Sequence, residues 1–473
     1  MIKYFHHKNK TKNPEAVAMK FNKSATHSKT HSVPELRFEE QELTSFSGLA
    51  IIQPLLQQLK LKSRLRQCFR PQACSSIYGF PTMVLLLVLH IMMGYRKLSD
   101  LKFYQDDPLV AHTLGLKRLP DSSTLSRHLN LIDATNADRL RQLAQHMVLD
   151  RLIEEQFKMI TLDFDGSVIS TTRWAEGTAV GYNKKKKGQR SYYPLVCTIA
   201  QTSQVFDSLF RAGNVHDSNG ARQFIVDCVE KIREFLPKAV IEVRMDSAFY
   251  SEEIIDELER QKVEFTISVP FARYPRFKEE IEKATQWVSI DKTNSYREHQ
   301  WKPNKWKKAY RILSIRKRVL LQQKGVVQLD LFTPYQDGYD FQVIVTNKKQ
   351  SAGKVMNYHR GRGAQEGIFA ELKSYAQMDY IPVKYKSGNQ VYFLCSIMAH
   401  NLSRELQMKL RPQERKRNDK RAPLWEFESL SRFRNKIIRN AGRLIKPQGR
   451  LVLSMNANAA AKEEMEFYQA KLI

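Results

Sequence analysis

The sequence has 473 residues, of which 42% are hydrophobic and 27% charged, a balance typical of a globular chain of several domains and unlike that of a disordered or membrane protein. Lys and Arg total 77 against 49 Asp and Glu, so the formal net charge is +28. A surface this basic attracts polyanions, and nucleic acid is the first candidate partner. The alternative is a basic surface that binds no partner.

The chain carries no pattern that predicts export or membrane insertion. Its longest apolar stretch, Met83 to Met93, is interrupted by His90 and is shorter than the ~20 residues of a membrane span. The N-terminus lacks the apolar core of a secretory signal. Five cysteines are scattered without a C-x-x-C pair, which predicts reduced, structural thiols and a cytoplasmic location.

The N-terminal part is predicted to be a basic mobile arm, residues 1–39, followed by an all-helical DNA-binding domain, residues 40–156. Leu49, Ile52, Leu55 and Leu59 recur at three- and four-residue spacing, as on one face of a helix. Residues 119–129 have the pattern of a capped helix that exposes Arg127, a candidate for contact with a DNA groove. Many capped surface helices share these traits.

After residue 157 the pattern changes to short strands alternating with helices. The predicted elements, in the order βββαβαβ, are strands at 159–165, 193–200 and 204–212, a helix at 218–235, a strand at 240–245, a helix at 252–260 and a strand at 264–269. This order matches a ribonuclease H-like α/β core, a mixed five-stranded sheet whose first three strands are antiparallel and whose remaining strands extend it in parallel.

The rest of the chain is predicted to interrupt and then complete this core. Residues 271–350 are a β-rich insertion, with strand-like pieces at 308–320 and 341–346. The last helices of the core follow in residues 351–410, beginning with a helix at 364–377, and residues 411–473 form a basic C-terminal region.

Three acidic residues lie at the ends of predicted elements. Asp165 ends the first strand, Asp246 ends the fourth, and Glu366 begins the last helix. The first and fourth strands are neighbours in such a fold, so the three carboxylates would converge and supply the oxygen ligands that Mg²⁺ requires. Asp163 shares a strand face with Asp165 and is either a rival ligand or a support. A single acid at a strand end is more often a turn or cap residue.

The motifs around these acids resemble those of DDE transposases of bacterial insertion sequences, specifically the insertion-sequence family numbered thirteen-eighty, over about residues 40 to 455. The motifs are Asp163-Phe164-Asp165-Gly166-Ser167, Arg244-Met245-Asp246-Ser247-Ala248-Phe249, and a Tyr, Arg, Glu and Lys pattern at Tyr358, Arg362, Glu366 and Lys373. Three residues separate Tyr358 from Arg362, whereas the family pattern has two.

The resemblance implies that Asp165, Asp246 and Glu366 are catalytic and bind two Mg²⁺ ions, for which Mn²⁺ substitutes. Tyr358, Arg362 and Lys373 would bind DNA. The implied activity is cleavage and strand transfer in cut-and-paste transposition, on the terminal inverted repeats and target DNA, by a homodimer in the synaptic complex. Such a protein would act in the bacterial cytoplasm at the nucleoid, away from membranes.

Two further stretches are candidates for DNA binding. Lys185 and Lys186 belong to a basic loop that follows Asp165 and could contact phosphates, although a solvated loop would look the same. Trp301 and Trp306 are interleaved with lysines, as in a platform for an unstacked base; packing of a small core is the alternative. The competing functions are a catalytically inactive, transposase-derived DNA-binding protein and a ribonuclease H-like nuclease.

Overall fold

The computed structural model describes residues 33–69, 77–181, 183, 186–215, 219–318, 338–414 and 422–472. The chain divides into two compact units, residues 1–41 and 42–473. The described residues of the first unit, 33–41, contain no helix or strand, and residues 1–32 of the predicted arm lie outside the described part. None of the described helices combines the length and apolarity of a membrane span.

The second unit begins with a short strand and a series of helices. These are β1 (Leu43–Thr44), α1 (Leu49–Gln58), α2 (Leu61–Cys68), α3 (Phe80–Met93), a 3-10 turn (Leu98–Phe103), α4 (Pro108–Leu114), α5 (Ser122–Leu131) and α6 (Ala134–Glu155). Helix α3 contains the long apolar stretch of the sequence and is buried along nearly its whole length. Gly94 ends it at φ 100°, a backbone conformation that favours glycine.

The central α/β region follows directly. Its elements are β2 (Met159–Gly166), β3 (Ile169–Ser170), β4 (Ala179–Val180), β5 (Arg190–Tyr192), β6 (Leu195–Ile199), β7 (Gln204–Leu209), α7 (Ala221–Phe235), β8 (Val240–Met245), α8 (Glu252–Arg260) and β9 (Glu264–Ser268). Strands β3, β5 and β4 form a small separate sheet.

The five long strands of this region pair in the predicted order, β9-β8-β2-β6-β7. Strand β2 is antiparallel to β6 and parallel to β8, and β8 is parallel to β9. Phe164 and Met245 face a core that includes apolar residues of α7 and α8, and the rings of Phe164 and Phe224 lie 5.8 Å apart. On the opposite face, β2, β8 and β9 carry buried polar side chains, among them Asp163, Arg244 and Thr266.

The described residues of the predicted insertion form a 3-10 turn (Phe271–Arg273), α9 (Pro275–Glu282), β10 (Val288–Ser289), β11 (Asn294–Trp301), β12 (Tyr310–Arg318) and β13 (Tyr339–Thr346). Strand β13 pairs antiparallel with β9, with Ile344 opposite Ser268. The described sheet therefore has nine strands, in the order β10-β11-β12-β13-β9-β8-β2-β6-β7. The prediction of a five-stranded sheet is wrong because the insertion extends the sheet.

The C-terminal part is mainly helical. It comprises α10 (Ala352–Arg360), a 3-10 turn (Gly361–Gly363), α11 (Ala364–Ser374), α12 (Lys386–Leu410), α13 (Leu430–Phe433), a π turn (Arg434–Ile438), β14 (Gly442–Ile445), β15 (Val452–Met455) and α14 (Ala459–Leu472). Strand β1 pairs with β14. Helix α12 is buried almost throughout and shares one core with α1, α3 and the N-terminal half of α6. The predicted boundary at residue 156 thus separates elements that pack together.

The four cysteines of the described residues, Cys68, Cys197, Cys228 and Cys395, are buried free thiols.

Candidate functional site

Two aspartates lie side by side where β2 and β8 end. Phe164 and Met245 are register partners in this parallel pair. The next residues along the chain, Asp165 and Asp246, therefore follow paired positions on strands that are about 4.8 Å apart. Since side chains alternate along a strand, the Asp165 carboxylate lies on the face opposite Phe164, while Asp246 caps the 3-10 turn Ser247–Phe249 that follows β8. The Oδ1 of Asp246 also accepts a hydrogen bond from the backbone N of Ala248, at 2.9 Å.

Asp163, the rival ligand on the same face, has a different environment. The fully buried Arg244 donates to both its oxygens, with Nε–Oδ1 at 2.5 Å and Nη2–Oδ2 at 2.6 Å. Arg244 Nη1 donates to the carbonyl oxygen of Tyr358 at 3.0 Å, which ties α10 to the sheet. Asp163 is 2% exposed, whereas the side chain of Asp165 is 21% exposed. The accessible acid of β2 is therefore Asp165.

The first turn of α11 lies against the end of β2. Gln365 Nε2 donates to the carbonyl oxygen of Asp163 at 2.9 Å, and Arg362 Nη1 lies 3.4 Å from Asp165 Oδ2. Glu366 follows Gln365 directly, and its side chain is exposed. In the part of the chain that the structure describes, no three acidic, His or Cys side chains are gathered closely enough to hold a metal ion.

The donor set nevertheless fits a hard divalent cation. Its groups are carboxylates alone, the oxygen ligands that Mg²⁺ prefers. Arg362 already places one positive charge beside Asp165, 3.4 Å from its Oδ2. Asp165 and Asp246 are positioned as a pair by the strand register, and Glu366 is carried by the adjoining helical turn.

A buried polar layer lies behind these acids, between the sheet and α10. Lys348, which is 3% exposed, donates to Glu242 Oε1 at 2.6 Å and also to Glu264. His359 hydrogen-bonds with Ser268 Oγ at 2.8 Å and Thr266 Oγ1 at 2.9 Å. Burial, reinforced by nearby arginines, lowers the pKa of His359 to about 3, so the ring is neutral at pH 7.

This layer was not predicted from the sequence, although the sequence contains a signal for it. In β8 the polar Glu242 and Arg244 alternate with Ile241, Val243 and Met245. Such alternation in a strand buried on both faces indicates partners on the polar face, because buried charges are costly unless paired.

The structure places Tyr358 inside this layer. Its ring is 4% exposed, with the Arg244 guanidinium 5.3 Å and the Lys348 ammonium 4.2 Å from its centroid. Two buried cations thus enclose the ring, and its predicted contact with DNA stays a prediction. Lys373 is half-buried on α11, two turns beyond Glu366.

Arg127 and Lys186, two further predicted DNA-binding cations, are exposed. Arg127 is exposed on α5, where its Nη2 donates to Thr124 Oγ1 at 3.1 Å. Lys186 is exposed, and its backbone N donates to Asn183 Oδ1 at 3.0 Å. Lys185 lies outside the described residues.

Trp301 and Trp306, the two tryptophans predicted to bind DNA, are half-buried and stacked on other rings. Trp301 stacks on Phe277, with ring centroids 4.0 Å apart and planes 10° apart. Trp306 stacks on Tyr250 at 4.7 Å and 28°. The two tryptophans also line a groove of about 680 Å³, the insertion groove, whose basic lining residues are Arg273, Arg276, Lys302 and Lys305. They thus combine packing with a basic, accessible surface.

An α/β sheet with paired aspartates at the ends of two central parallel strands is the framework of a DDE-type nucleic-acid enzyme. The family model described as "Transposase DDE domain group 1" matches residues 26–472, and the chain belongs to this family. Its members are transposases of the DDE type, DNA-binding proteins of DNA recombination.

Solved structures with similarity to the chain are also transposases. A piggyBac transposase synaptic complex with hairpin DNA is 11% identical with a TM-score of 0.39, covering 85% of this chain and 83% of that one. A Mos1 transposase paired-end complex is 12% identical with a TM-score of 0.18, covering 41% and 59%. A pre-cleavage Mos1 transpososome is 13% identical with a TM-score of 0.17, covering 42% and 64%. No match was found among curated proteins.

Proposed function

We propose that this transposase is the active enzyme of a bacterial insertion sequence of the family numbered thirteen-eighty, with a ribonuclease H-like core. It binds the terminal inverted repeats of its element as a homodimer at the nucleoid, cleaves the DNA with divalent metal ions, and joins the freed ends to target DNA. The observation that carries the proposal is the placement of Asp165 and Asp246 at adjacent strand ends, with the first turn of α11 against them.

Asp165, Asp246 and Glu366 would hold two Mg²⁺ or Mn²⁺ ions. When bound, the ions supply activation of the attacking oxygen and stabilisation of the leaving oxygen in phosphoryl transfer. The strand register positions the two aspartates, and the Gln365 contact with Asp163 positions the turn that carries Glu366. Asp163 is not proposed as a ligand, because Arg244 engages both its oxygens.

The basic side chains would bind the DNA backbone. Arg362 and Lys373 lie on the turn and helix that carry Glu366, where cations can contact phosphates next to the scissile bond. Lys185, Lys186 and Arg127 would add phosphate contacts, and Trp301 with Trp306 would offer the insertion groove to an unstacked base. Tyr358 would act by packing against Arg244 and Lys348.

The test compares Asp246→Asn with the matched variant Asp227→Asn, whose carboxylate is exposed on α7. The substrates are duplexes carrying the inverted repeats that flank the gene and a random duplex, with Mg²⁺ or Mn²⁺. We expect Asp246→Asn to lose cleavage while its affinity for the repeat changes less than about twofold, and Asp227→Asn to behave as wild type. Cleavage by Asp246→Asn would refute the assignment of the site.

The same assay separates the competing functions. Equal cutting of repeat and random duplex would indicate a ribonuclease H-like nuclease. Specific binding of the repeat without cleavage by the wild type, with either metal, would indicate an inactive transposase-derived DNA-binding protein.

A further inference from the structure

Two large aromatic side chains are exposed on two loops that contact each other. Trp174 is 61% exposed and Tyr385 is 54% exposed. Rings of this size are rarely left so open to water unless they contact a partner, and exposed aromatics are enriched at binding surfaces. Neither residue has a role in the site described above.

The loops that carry these rings are joined by hydrogen bonds. The backbone N of Glu176 donates to the carbonyl oxygen of Lys384 at 2.8 Å, and the backbone N of Lys386 donates to Glu176 Oε2 at 2.9 Å. A Cβ at Gly177 would lie 3.0 Å from Cδ of Lys386, so the loops are also closely packed. The two rings therefore belong to one pre-formed surface, which lowers the ordering cost of binding.

This surface is basic. Arg173, Lys384 and Lys386 are exposed around the two rings. The one acid between them, Glu176, already accepts a hydrogen bond from the Lys386 backbone. We call the set Arg173, Trp174, Lys384, Tyr385 and Lys386 the flap patch. Aromatic rings interleaved with cations are the combination that binds a nucleic-acid strand, because rings stack on bases while cations hold phosphates.

The flap patch is connected to the end of β2 that carries Asp165. The segment containing Trp174 leaves the sheet after Gly166 and returns to it at Leu195, the register partner of Gly166. The backbone N of Ser167 donates to the carbonyl oxygen of Pro194 at 3.0 Å, which closes the base of this segment. A DNA strand bound at Asp165 therefore lies next to the base of the loop that presents Trp174.

We propose that the flap patch is a second nucleic-acid contact surface, at which an unpaired base stacks on Trp174 or Tyr385 while the neighbouring cations hold its phosphates. The proposal rests on the proposed function, since it supposes that the enzyme handles DNA ends with unpaired nucleotides. The flap patch shares no residue with the insertion groove.

The experiment measures binding of two fluorescent DNA probes at one fixed salt concentration. One is a blunt duplex, and the other is the same duplex with a single-stranded 3′ extension. The variants are Trp174→Ala, Tyr385→Ala and Trp174→Phe. The matched control is Phe467→Ala, an aromatic that is 45% exposed with the Lys471 ammonium 4.7 Å from its ring centroid.

The control lies far from the flap patch. Lys471 Nζ donates to the carbonyl oxygen of Leu410, the last residue of α12, whereas Lys386 is the first residue of α12. This helix has 25 residues, so the two ends are about 37 Å apart at 1.5 Å per residue.

We expect at least one of the variants Trp174→Ala and Tyr385→Ala to weaken binding of the extended probe about tenfold, and each to weaken binding of the blunt probe less than twofold. Trp174→Phe should retain most of the affinity, because phenylalanine keeps a stacking face. Phe467→Ala should match wild type on both probes. The inference would be overturned if the affinity for the extended probe were the same for Trp174→Ala, Tyr385→Ala and Phe467→Ala. A protein partner would then be the better explanation of the exposed rings.

Failure of this inference can be distinguished from failure of the proposed function. A wild type that binds neither probe and cleaves no repeat would contradict the proposed function itself. A wild type that binds and cleaves, with variants that lose nothing on the extended probe, would contradict only the role of the flap patch.

Discussion

Arg244 and Asp163 form a two-point ion pair inside the sheet, two residues before Asp246 and Asp165 on the same strands. Because Arg244 also holds the Tyr358 carbonyl, this pair connects the strands that carry the aspartates to the helix preceding Glu366. The two acids of β2 therefore differ: Asp163 is part of a buried ion pair that holds the strands and the helix together, and Asp165 is the acid accessible to solvent.

Asp163→Asn should destabilise the protein strongly, because it leaves the buried Arg244 guanidinium without its counter-charge. We expect the free energy of unfolding to fall by about 3–5 kcal/mol, measured by urea denaturation. The surface variant Asp227→Asn should change it by less than about 0.5 kcal/mol. An Asp163→Asn protein of wild-type stability that had lost metal binding would instead make Asp163 the ligand.

Arg362→Gln should tighten binding of Mn²⁺ by the DNA-free protein, because it removes the cation that now balances Asp165. For a partly exposed pair of this kind we expect a two- to fivefold increase in affinity, from about 0.5–1 kcal/mol. Titration calorimetry measures it, with Arg127→Gln as the control for loss of an exposed arginine. Weaker Mn²⁺ binding by Arg362→Gln would mean that this arginine instead orders the carboxylates.

Stability should depend on pH through His359. Burial lowers its pKa from 6.5 to about 3 in the folded state, so the unfolded chain takes up this proton at a higher pH than the folded protein does. The contribution of the neutral ring is fully present above pH 6.5 and is lost as the pH falls towards 3, by about 1.4 kcal/mol per pH unit.

The measurement is the free energy of unfolding of wild type and His359→Asn between pH 7.5 and pH 4.5. Because other groups titrate in both proteins, the difference between the two curves isolates His359. We expect the wild-type curve to fall more steeply with decreasing pH. Parallel curves would show that His359 is protonated in the folded state at the same pH as in the unfolded chain.

Binding to non-specific duplex should weaken steeply with salt, given a formal net charge of +28, because each contacted phosphate releases counterions. Replacing Lys186 and Lys187, both exposed in the loop after β4, with Ala should lower the slope of log K against log salt by about one for each lysine that contacts a phosphate. Lys462→Ala, on α14, should leave the slope unchanged. Salt-independent affinity would remove the basis for a phosphate-binding surface.

Much of the central fold could be predicted from local pattern. Strand β8 and helix α8 have the predicted bounds, and β2, β6, β7 and β9 differ by a few residues at their ends. Apolar residues at alternate positions identify β2, β8 and β9. The acids at the ends of β2 and β8 follow from the order of the strands.

The pairing of the insertion could not be predicted in the same way. Its strand β13 pairs with β9, and the register of such a long-range contact leaves no periodic trace in either segment. Helix α10 was missed because its short stripe of Val355, Met356 and His359 is followed at once by two glycines.

The position of the Glu366 side chain could not be predicted from the sequence either. Its place at the start of a helix follows from the motif, but its orientation depends on how the turn beginning at Gly361 is anchored. That anchor is a side-chain contact between Gln365 and the Asp163 backbone, to which the pattern of residue types gives no clue.

The continuous hydrogen bonding from β13 through β9 to β8 has a consequence for engineering. Residues 271–350 are therefore not a module that can be deleted without effect. Their deletion would remove the strand that pairs with β9, and β9 would become an exposed edge strand next to β8, the strand that leads to Asp246. The unpaired backbone groups of an exposed edge strand can pair with other chains. We therefore expect the shortened enzyme to aggregate.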